Sequence, residues 1–409
     1  MSTAIISSQP TSMPNGMNSI SASVLRSSPR VGIPLSIAMA PAVACPVDHA
    51  RQQVDEGIFS SGSSVSDVST ESPKVEFAVA FDIDGVLLKG GEVIPEAKEA
   101  LRMLNGENED GIVVPYIFLT NGGGKLEQDR CKELSDKLEV PVSTSQFIQG
   151  HTPMRNLVEL YNTVLVVGGV GDTCRKVAET YGFKDVITPG DIIAWKPDCV
   201  PFRTLTEEEL KSCHPRDFTK VDIQAILVFA DSRDWAGDQQ IIIELLTSVN
   251  GRMGTVSKTS QEGPPLYYSH GDVVWATSYS LPRFGMGALR KCIETLYTES
   301  TGKDLGSTLM GKPHSTTYKY ATQVLTEWRR EIHNINKDPT RVYMIGDSPF
   351  SDIRGANQFG WISILVRTGV FQGGENAEDY PARSVQNNVL DAVKWALANE
   401  KLPENQRIS

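Results

Sequence analysis

The strongest constraint on the fold is an unbroken apolar run that ends in two acidic residues. Phe77-Ala-Val-Ala-Phe81 is followed at once by Asp82-Ile-Asp84 and then by Gly85. A continuous apolar run of this length predicts a strand buried on both faces, as in a parallel sheet covered by helices. The two carboxylates then lie at the carboxyl end of the strand, which is where open parallel sheets bind their ligands.

The same alternation of strand and helix returns on both sides of a long middle segment. A helix is predicted from Pro95 to about Leu104, because proline is favoured in a first helical turn. Further buried strands are predicted at residues 114–119, 341–345 and 363–366. This order predicts an α/β fold with a doubly wound, Rossmann-like parallel sheet.

The middle segment has a strand and helix pattern of its own. Strands are predicted at 163–167 and 225–229, with a further element at 239–248, and the Pro-rich stretches 189–201 and 263–265 are predicted to be loops or hairpins. We therefore expect an inserted α/β cap domain. The expected division is a core of residues 75–159 and 284–400, a cap of residues 160–283, and a tail of residues 401–409.

Composition narrows the remaining possibilities. Residues 1–74 are rich in Ser, Pro, Gly and Met, and have no acidic residue before Asp48, while Arg26 and Arg30 lie among serines. This is typical of a mitochondrial transit peptide, and a plain disordered tail is the equal alternative. The net charge of −11 argues against a nucleic-acid partner. No apolar run approaches the roughly 18 residues of a membrane span, so no integral membrane segment is expected.

The carboxylates after the first strand indicate metal-assisted chemistry. Asp82 and Asp84 are two residues apart and share a face, so they repel unless a cation or a proton separates their charges. Mg²⁺ prefers oxygen ligands and suits phosphate substrates, which leaves one carboxylate as nucleophile and the other as acid/base. A solvated or calcium-binding pair is the alternative for an isolated match.

Three later segments add the other parts of a phosphate site. Thr120-Asn121-Gly-Gly-Gly124 offers polar side chains and open backbone N–H groups for an anion. Gly311-Lys312-Pro313 puts a lysine on a loop, and Asp347 and Asp352 follow another strand. Taken singly, these segments would be a turn, a surface lysine and a helix cap at Asp352.

Together, the four segments resemble the haloacid dehalogenase superfamily over residues 75 to about 397, and the insert is similar to the C2-type caps of class IIA. Five shorter stretches resemble the mitochondrial, cat-eye-syndrome-critical-region-5-like hydrolases, with a fungal member suspected: residues 149–153, 231–235, 272–275, 283–287 and 355–357.

This resemblance implies a role for each matching residue. Asp82 would be the nucleophile that forms an aspartyl-phosphate, and Asp84 the acid for the leaving group and then the base for water. Thr120 and Lys312 would bind the phosphate. Mg²⁺ would be held by the Asp82 side chain, the Asp84 carbonyl and Asp347. Asp352 would complete and orient the metal site.

The cap is expected to choose the substrate. By analogy with the family, the candidate residues are Asp231, Arg233, Asp234 and Trp235. The alternative is a helix cap whose Trp235 packs into the cap core. His151 is a loop histidine, like His270, and ordinary structural roles are favoured for both.

The expected function is that of a magnesium-dependent phosphatase acting on a small phosphorylated metabolite. A catalytically weak relative with a binding or scaffolding role is the main alternative, and phosphomutase or dehalogenase chemistry is less favoured. Some relatives are joined to phosphatidyltransferase domains, which makes a phospholipid intermediate a candidate substrate. The expected location is mitochondrial, with a cytoplasmic alternative, and a homodimer is a candidate assembly.

Overall fold

A computed structural model describes residues 75–408, which contain two parallel sheets. The strands are β1 Phe77–Phe81, β2 Leu88–Lys89, β3 Glu92–Val93, β4 Tyr116–Leu119, β5 Phe147–Ile148, β6 Thr163–Val167, β7 Asp185–Ile187, β8 Ala225–Val228, β9 Leu266–Tyr268, β10 Val274–Trp275, β11 Arg283–Phe284, β12 Thr308–Leu309, β13 Arg341–Gly346, β14 Ile362–Val366 and β15 Ser384–Gln386. The α-helices are α1 Pro95–Leu104, α2 Glu127–Leu138, α3 Thr173–Tyr181, α4 Pro189–Trp195, α5 Glu207–Lys211, α6 Trp235–Leu246, α7 Met286–Thr301, α8 Ser315–His333, α9 Arg354–Phe359 and α10 Val389–Lys401.

The core sheet has the strand order β15-β14-β13-β1-β4-β5, and all its pairs are parallel. In β1, Val79 and Phe81 face the apolar cluster that includes α1 and α10. Ala78 and Ala80 face the opposite side, where they pack with α8. Because helices cover both faces, every residue of β1 is buried. This confirms the predicted doubly wound sheet.

The second sheet has the order β12-β9-β8-β6-β7 and is also parallel. One face packs against α4, α6 and α7, and the other packs against α3. The alternating strand and helix pattern of the insert therefore builds a separate layered unit, which we call the cap.

The end of the cap differs from the boundary expected at residue 283. Met286, Leu289 and Ile293 of α7 are buried in the apolar cluster of the cap, and β12 pairs with β9. A helix is assigned to the domain whose sheet covers its apolar face, even when the chain enters the other domain soon afterwards. We therefore propose that the cap runs from about residue 160 to about residue 310.

The stretch 189–201 also differs from expectation, since it forms α4 and a 3-10 helix at Pro197–Cys199 rather than a loop. Thr188 and Asp191 make a capping box at the start of α4, where Pro189 is the first residue. Proline is compatible with a first helical turn, so its presence did not argue against a helix.

Each of the two units also has a short antiparallel hairpin. β10 pairs with β11 in the cap, and β2 pairs with β3 in the core. A Cβ added at Gly90, in the turn of the core hairpin, would be 2.5 Å from the backbone nitrogen of Ser278 in the cap hairpin. The two hairpin turns are therefore in contact. Among residues 75–408, no helix has the length and apolarity needed to cross a membrane.

Candidate active site

The carboxyl ends of the core strands open into a cleft of about 300 Å³ that the cap covers. The Asp82 N–H donates to the Ile345 carbonyl at 2.9 Å, which carries the pairing of β1 and β13 up to the first acidic residue. The cleft is lined by residues of both domains, including Asp82, Asp84, Thr120, Asn121, Lys312 and Asp347 from the core side and Asp231, Arg233, His270, Asp272 and Trp275 from the cap.

Lys312 is buried at the base of this cleft. Its Nζ lies 2.8 Å from Asp82 Oδ1 and 2.7 Å from Asp352 Oδ1. Burial alone would lower the pKa of Lys312, but Asp352 and Asp82 raise it overall, so the ammonium stays charged. A charged ammonium beside the first carboxylate can bind the oxygens of a phosphate that approaches Asp82.

Asp82, Asp347 and Asp352 form a buried acidic cluster whose oxygens lie within 4.8 Å of one another. Burial, then Asp82 and Asp352, raises the pKa of Asp347 well above its usual range. Burial raises the pKa of Asp352 to about 6, although Lys312 opposes the shift. No ion pair to Asp347 is formed within the described part of the chain. Three ionised carboxylates would exceed the charge of the single lysine, so without a further cation the cluster favours a protonated form.

This donor set fits a hard divalent cation. All the available ligands are oxygens, and burying them without a cation is costly, as the raised pKa values show. The backbone packs tightly around the Asp347 carboxylate. A Cβ added at Gly85 would lie 2.2 Å from Asp347 Oδ2, and one added at Gly369 would lie 1.8 Å from it. Val370 N–H donates to the same oxygen at 2.6 Å.

Asp352 is held in place by the backbone that it follows. Its Oδ2 accepts from the N–H groups of Asp347 and Ser348 at 3.1 and 3.0 Å, and its other oxygen faces Lys312. The side chain therefore does not cap the helix that comes after it. It joins the loop after β13 to the lysine.

Asp84 reaches the cleft from the turn after β1 and is half-buried. Burial raises the pKa of Asp84, while Arg130 and Lys312 oppose the shift. A carboxyl group with a raised pKa holds its proton more readily than an exposed one, which suits it to pass that proton to a leaving group. Burial also raises the pKa of Asp82, but its carboxylate is bound directly to Lys312, which opposes the shift.

Asn121 connects three segments that are far apart in the chain. Its Oδ1 accepts from the Lys312 N–H at 2.8 Å, and its Nδ2 donates to Lys312 O at 3.1 Å and to Asp272 Oδ2 at 2.8 Å. Asn121 lines the cleft, and its predicted phosphate contact stays a prediction. Its side-chain amide holds the lysine loop against the cap, and the neighbouring Thr120 hydroxyl accepts from Gly122 N–H at 3.0 Å.

Two of the three glycines after Asn121 are required by packing. A Cβ at Gly123 would lie 2.4 Å from Cδ2 of His151, and one at Gly124, where φ is +91°, would lie 2.8 Å from Cβ of Ala230. Since these glycines let the loop fit against its neighbours, flexibility is not needed to explain them.

The two loop histidines occupy different places. His151 stacks on Phe229 with centroids 5.1 Å apart, and its Nδ1 lies 2.8 Å from the hydroxyl of Tyr181. Burial lowers the pKa of His151 to about 4, so it is neutral at pH 7. His270 lines the cleft, and its Nδ1 lies 3.6 Å from Asp272 Oδ2.

Of the four cap residues predicted to choose the substrate, only two line the cleft. Asp231 and Arg233 do so. Asp234 instead caps α6 by accepting from Gly237 N–H at 3.1 Å, and Trp235 packs against the apolar cluster of the cap. The cleft is also lined by Asp272 and Trp275, to which the sequence had assigned no role.

Comparison with known proteins agrees with this arrangement. Residues 79–184 match the model of a haloacid dehalogenase-like hydrolase family, and residues 309–392 match that of a related hydrolase-like family. A mitochondrial hydrolase of Saccharomyces cerevisiae is 40% identical over 349 residues, which cover 80% of this chain and 97% of that protein.

A second relative is longer than this chain. A cardiolipin synthase (CMP-forming) / mitochondrial hydrolase fusion protein of Schizosaccharomyces pombe is 43% identical over 356 residues, or 85% of this chain, and the match spans 57% of the fusion protein. Among solved structures, a possible sugar phosphatase of Cytophaga hutchinsonii has a TM-score of 0.52 at 15% identity, covering 80% of this chain and 99% of that one. This likeness supports the fold.

Proposed function

The chain belongs to the haloacid dehalogenase-like hydrolases, and on this premise we propose that it is a magnesium-dependent phosphatase that transfers the phosphoryl group of a small phosphomonoester to Asp82. The observation that carries the proposal is the meeting, in one cleft, of a lysine-bound carboxylate, a second carboxyl group with a raised pKa and a buried acidic cluster. Each part has a separate task in phosphoryl transfer.

The first half of the reaction forms a covalent bond to the chain. Oδ2 of Asp82 attacks phosphorus, since Oδ1 is held by Lys312. The bond to the alcohol oxygen breaks, and Asp84 gives that oxygen its proton. Lys312 stabilises the charge on the phosphoryl oxygens as they move.

The second half restores the carboxylate. Asp84, now ionised, takes a proton from a water molecule, which attacks the phosphorus of the aspartyl-phosphate and releases inorganic phosphate. The cap limits access of bulk water to this intermediate. Asp82, Asp347, Asp352 and the Asp84 carbonyl would hold the magnesium ion, which supplies positive charge to phosphate oxygens when it is bound.

We also propose that the protein acts in mitochondria. The composition of residues 1–74 supports this, as do the two fungal relatives, which are named mitochondrial hydrolases. The name of the Schizosaccharomyces pombe fusion protein makes a phosphate ester of glycerophospholipid metabolism one class of substrate to test.

The test is release of inorganic phosphate by the purified full chain from a panel of phosphomonoesters, with Mg²⁺ and with chelator. We expect Mg²⁺-dependent release by the wild type and a loss of at least about 10³-fold in Asp82→Asn, because the nucleophile is removed. Asp304→Asn is the matched control, since this exposed residue lies outside the cleft.

Two results would decide against the proposal. Phosphate release by a folded Asp82→Asn protein at the rate of the wild type would exclude Asp82 as nucleophile. Silence of the wild type across the panel, in protein that binds Mg²⁺, would favour the binding or scaffolding role.

A further inference from the structure

A second pocket, of about 680 Å³, opens beside the catalytic cleft. The two share Asp272, Val274, Ser348 and Val370 in their linings, so they are direct neighbours. The cap contributes the segment around β10, and the core contributes the start of α8 and the loop before α9. A molecule whose phosphate reached Asp82 could therefore extend into this second pocket.

The walls of the second pocket are largely apolar. They include Val273, Leu309, Pro313, Pro349, Phe350 and Phe371. Phe350 is 59% exposed and Val273 is 42% exposed. Covering the apolar side chains of a concave site with an apolar group of a ligand removes them from water, which favours binding.

Two arginines supply positive charge to the same pocket. Arg354 forms no ion pair with a carboxylate in the described range, and its Nε is buried without a hydrogen-bond acceptor. Its guanidinium lies 5.3 Å from the ring centroid of Tyr380. Arg290 pairs with Glu294 at 2.7 Å, but its Nε also lacks an acceptor. A guanidinium group that lines a pocket without a carboxylate partner can take an acidic group of a ligand as that partner.

The charge balance of this pocket differs from that of the catalytic cleft. Its ionisable lining consists of Arg290, Arg354, His314 and Asp272. Burial, then Arg354 and Arg290, lowers the pKa of His314, which places both arginines near that ring. Asp272 is already engaged by Asn121. Because Arg290 is paired with Glu294, Arg354 is the guanidinium left for a ligand, with Arg290 beside it in the lining.

We infer that this pocket binds the non-reacting part of the substrate, and that this part combines an apolar body with a second acidic group. The inference rests on the proposed function, since it takes the neighbouring cleft as the phosphate site. Guanidinium groups match the geometry of carboxylate and phosphate oxygens, while the apolar walls match a hydrocarbon or ring system. The substrate class is an amphipathic phosphomonoester with two acidic ends.

The test compares two matched series of ligands that the enzyme cannot hydrolyse. n-Alkylphosphonates and the ω-phosphonoalkanoic acids of the same chain lengths, about four to ten carbons, are titrated calorimetrically into the full chain with Mg²⁺. At the best length we expect the second acid to tighten binding by about tenfold or more, as a charge-assisted hydrogen bond would. Equal affinity across both series would overturn the inference.

Variants locate the preference. Arg354→Gln is expected to bring the ratio of the two affinities close to one, and Arg354→Lys, which keeps the charge, to retain part of it. Arg330→Gln, on the exposed end of α8, is the matched control and should keep the full ratio. A full ratio in Arg354→Gln would contradict the assignment.

A second pair of variants tests the apolar wall. Phe350→Ala should weaken binding of the longer members of both series, while Phe202→Ala, an exposed phenylalanine outside the pocket, should not. These measurements read affinity rather than turnover. A preference for the second acid in a protein that releases no phosphate would reject the proposed function alone, whereas turnover without any preference would reject this inference alone.

Discussion

Lys312 serves two carboxylates at once. Its Nζ lies within 2.8 Å of Asp82 and 2.7 Å of Asp352, and its side chain is 1% exposed. A buried cation between two acids offsets the cost of burying them, so its removal affects folding as well as catalysis.

We predict that Lys312→Met lowers phosphate release by about 10²- to 10³-fold, because the developing phosphoryl charge loses its ammonium partner. The apparent free energy of unfolding should also fall, by about 3 to 5 kcal/mol, since Asp82 and Asp352 lose their shared cation. Activity assays and thermal unfolding check both effects. Lys394→Met, at a half-exposed lysine paired loosely with Glu99, is the control and should change neither by much.

Single residues were predictable where a local pattern places them. Asp82 and Asp347 each follow an apolar run, so the strand that buries the run also brings the carboxylate to the sheet edge. Asp272 had no such pattern. Its partner Asn121 is 151 residues away, and the contact exists only because the cap meets the core. The hydrogen bonds of Asn121 to the lysine loop and the cap could not be predicted from the sequence for the same reason.

At the scale of elements, helix α6 of the cap contains a buried acidic residue, Asp238. Asp238 lies in the first turn of the helix and is 7% exposed, beside Ser232 and Asp234. Burial raises the pKa of Asp238 to about 7, with Ser232 opposing the shift and Asp234 adding to it. The folded cap therefore prefers this carboxyl group in its protonated form.

The raised pKa of Asp238 makes the free energy of unfolding depend on pH, and it fixes the sign of that dependence. A pKa that is higher in the folded than in the unfolded chain contributes stability below about pH 4 that is lost as the pH rises through 7. Asp238→Asn keeps the neutral form, so its advantage over the wild type should grow from under about 1 kcal/mol at pH 4 to on the order of 4 kcal/mol at pH 8. Thermal unfolding at the two pH values measures it, and a constant difference would contradict the assignment.

The type of an element, helix or strand, was easier to predict than the domain to which it belongs. The helix at Pro95–Leu104 and the strands at Phe77–Phe81 and Thr163–Val167 have the expected bounds. Their apolar spacing and the proline at the start of the helix are local signals. The assignment of α7 and β12 to the cap is not local, because it depends on which sheet their apolar faces meet.

At the scale of the whole molecule, the composition of residues 1–74, which lie outside the described range, leads to a prediction of location. We predict that a fusion of residues 1–74 to a fluorescent protein enters mitochondria, because the segment has basic residues among serines and no acid before Asp48. Replacing Arg26 and Arg30 together by Gln should reduce import, and replacing Ser27 and Ser28 by Ala is the matched control. Cytosolic fluorescence of the unchanged fusion would contradict mitochondrial targeting.

The path of the chain back from the cap has a mechanical consequence. Leu309 pairs with Tyr268 in the cap sheet and Met310 N–H donates to Tyr268 O at 2.9 Å, and only Gly311 then separates this anchored backbone from Lys312. Three residue steps from Leu309 span at most about 11 Å. While Lys312 stays on Asp82, Leu309 therefore stays within about 11 Å of it. A displacement of this strand beyond that reach would separate the lysine from the nucleophile.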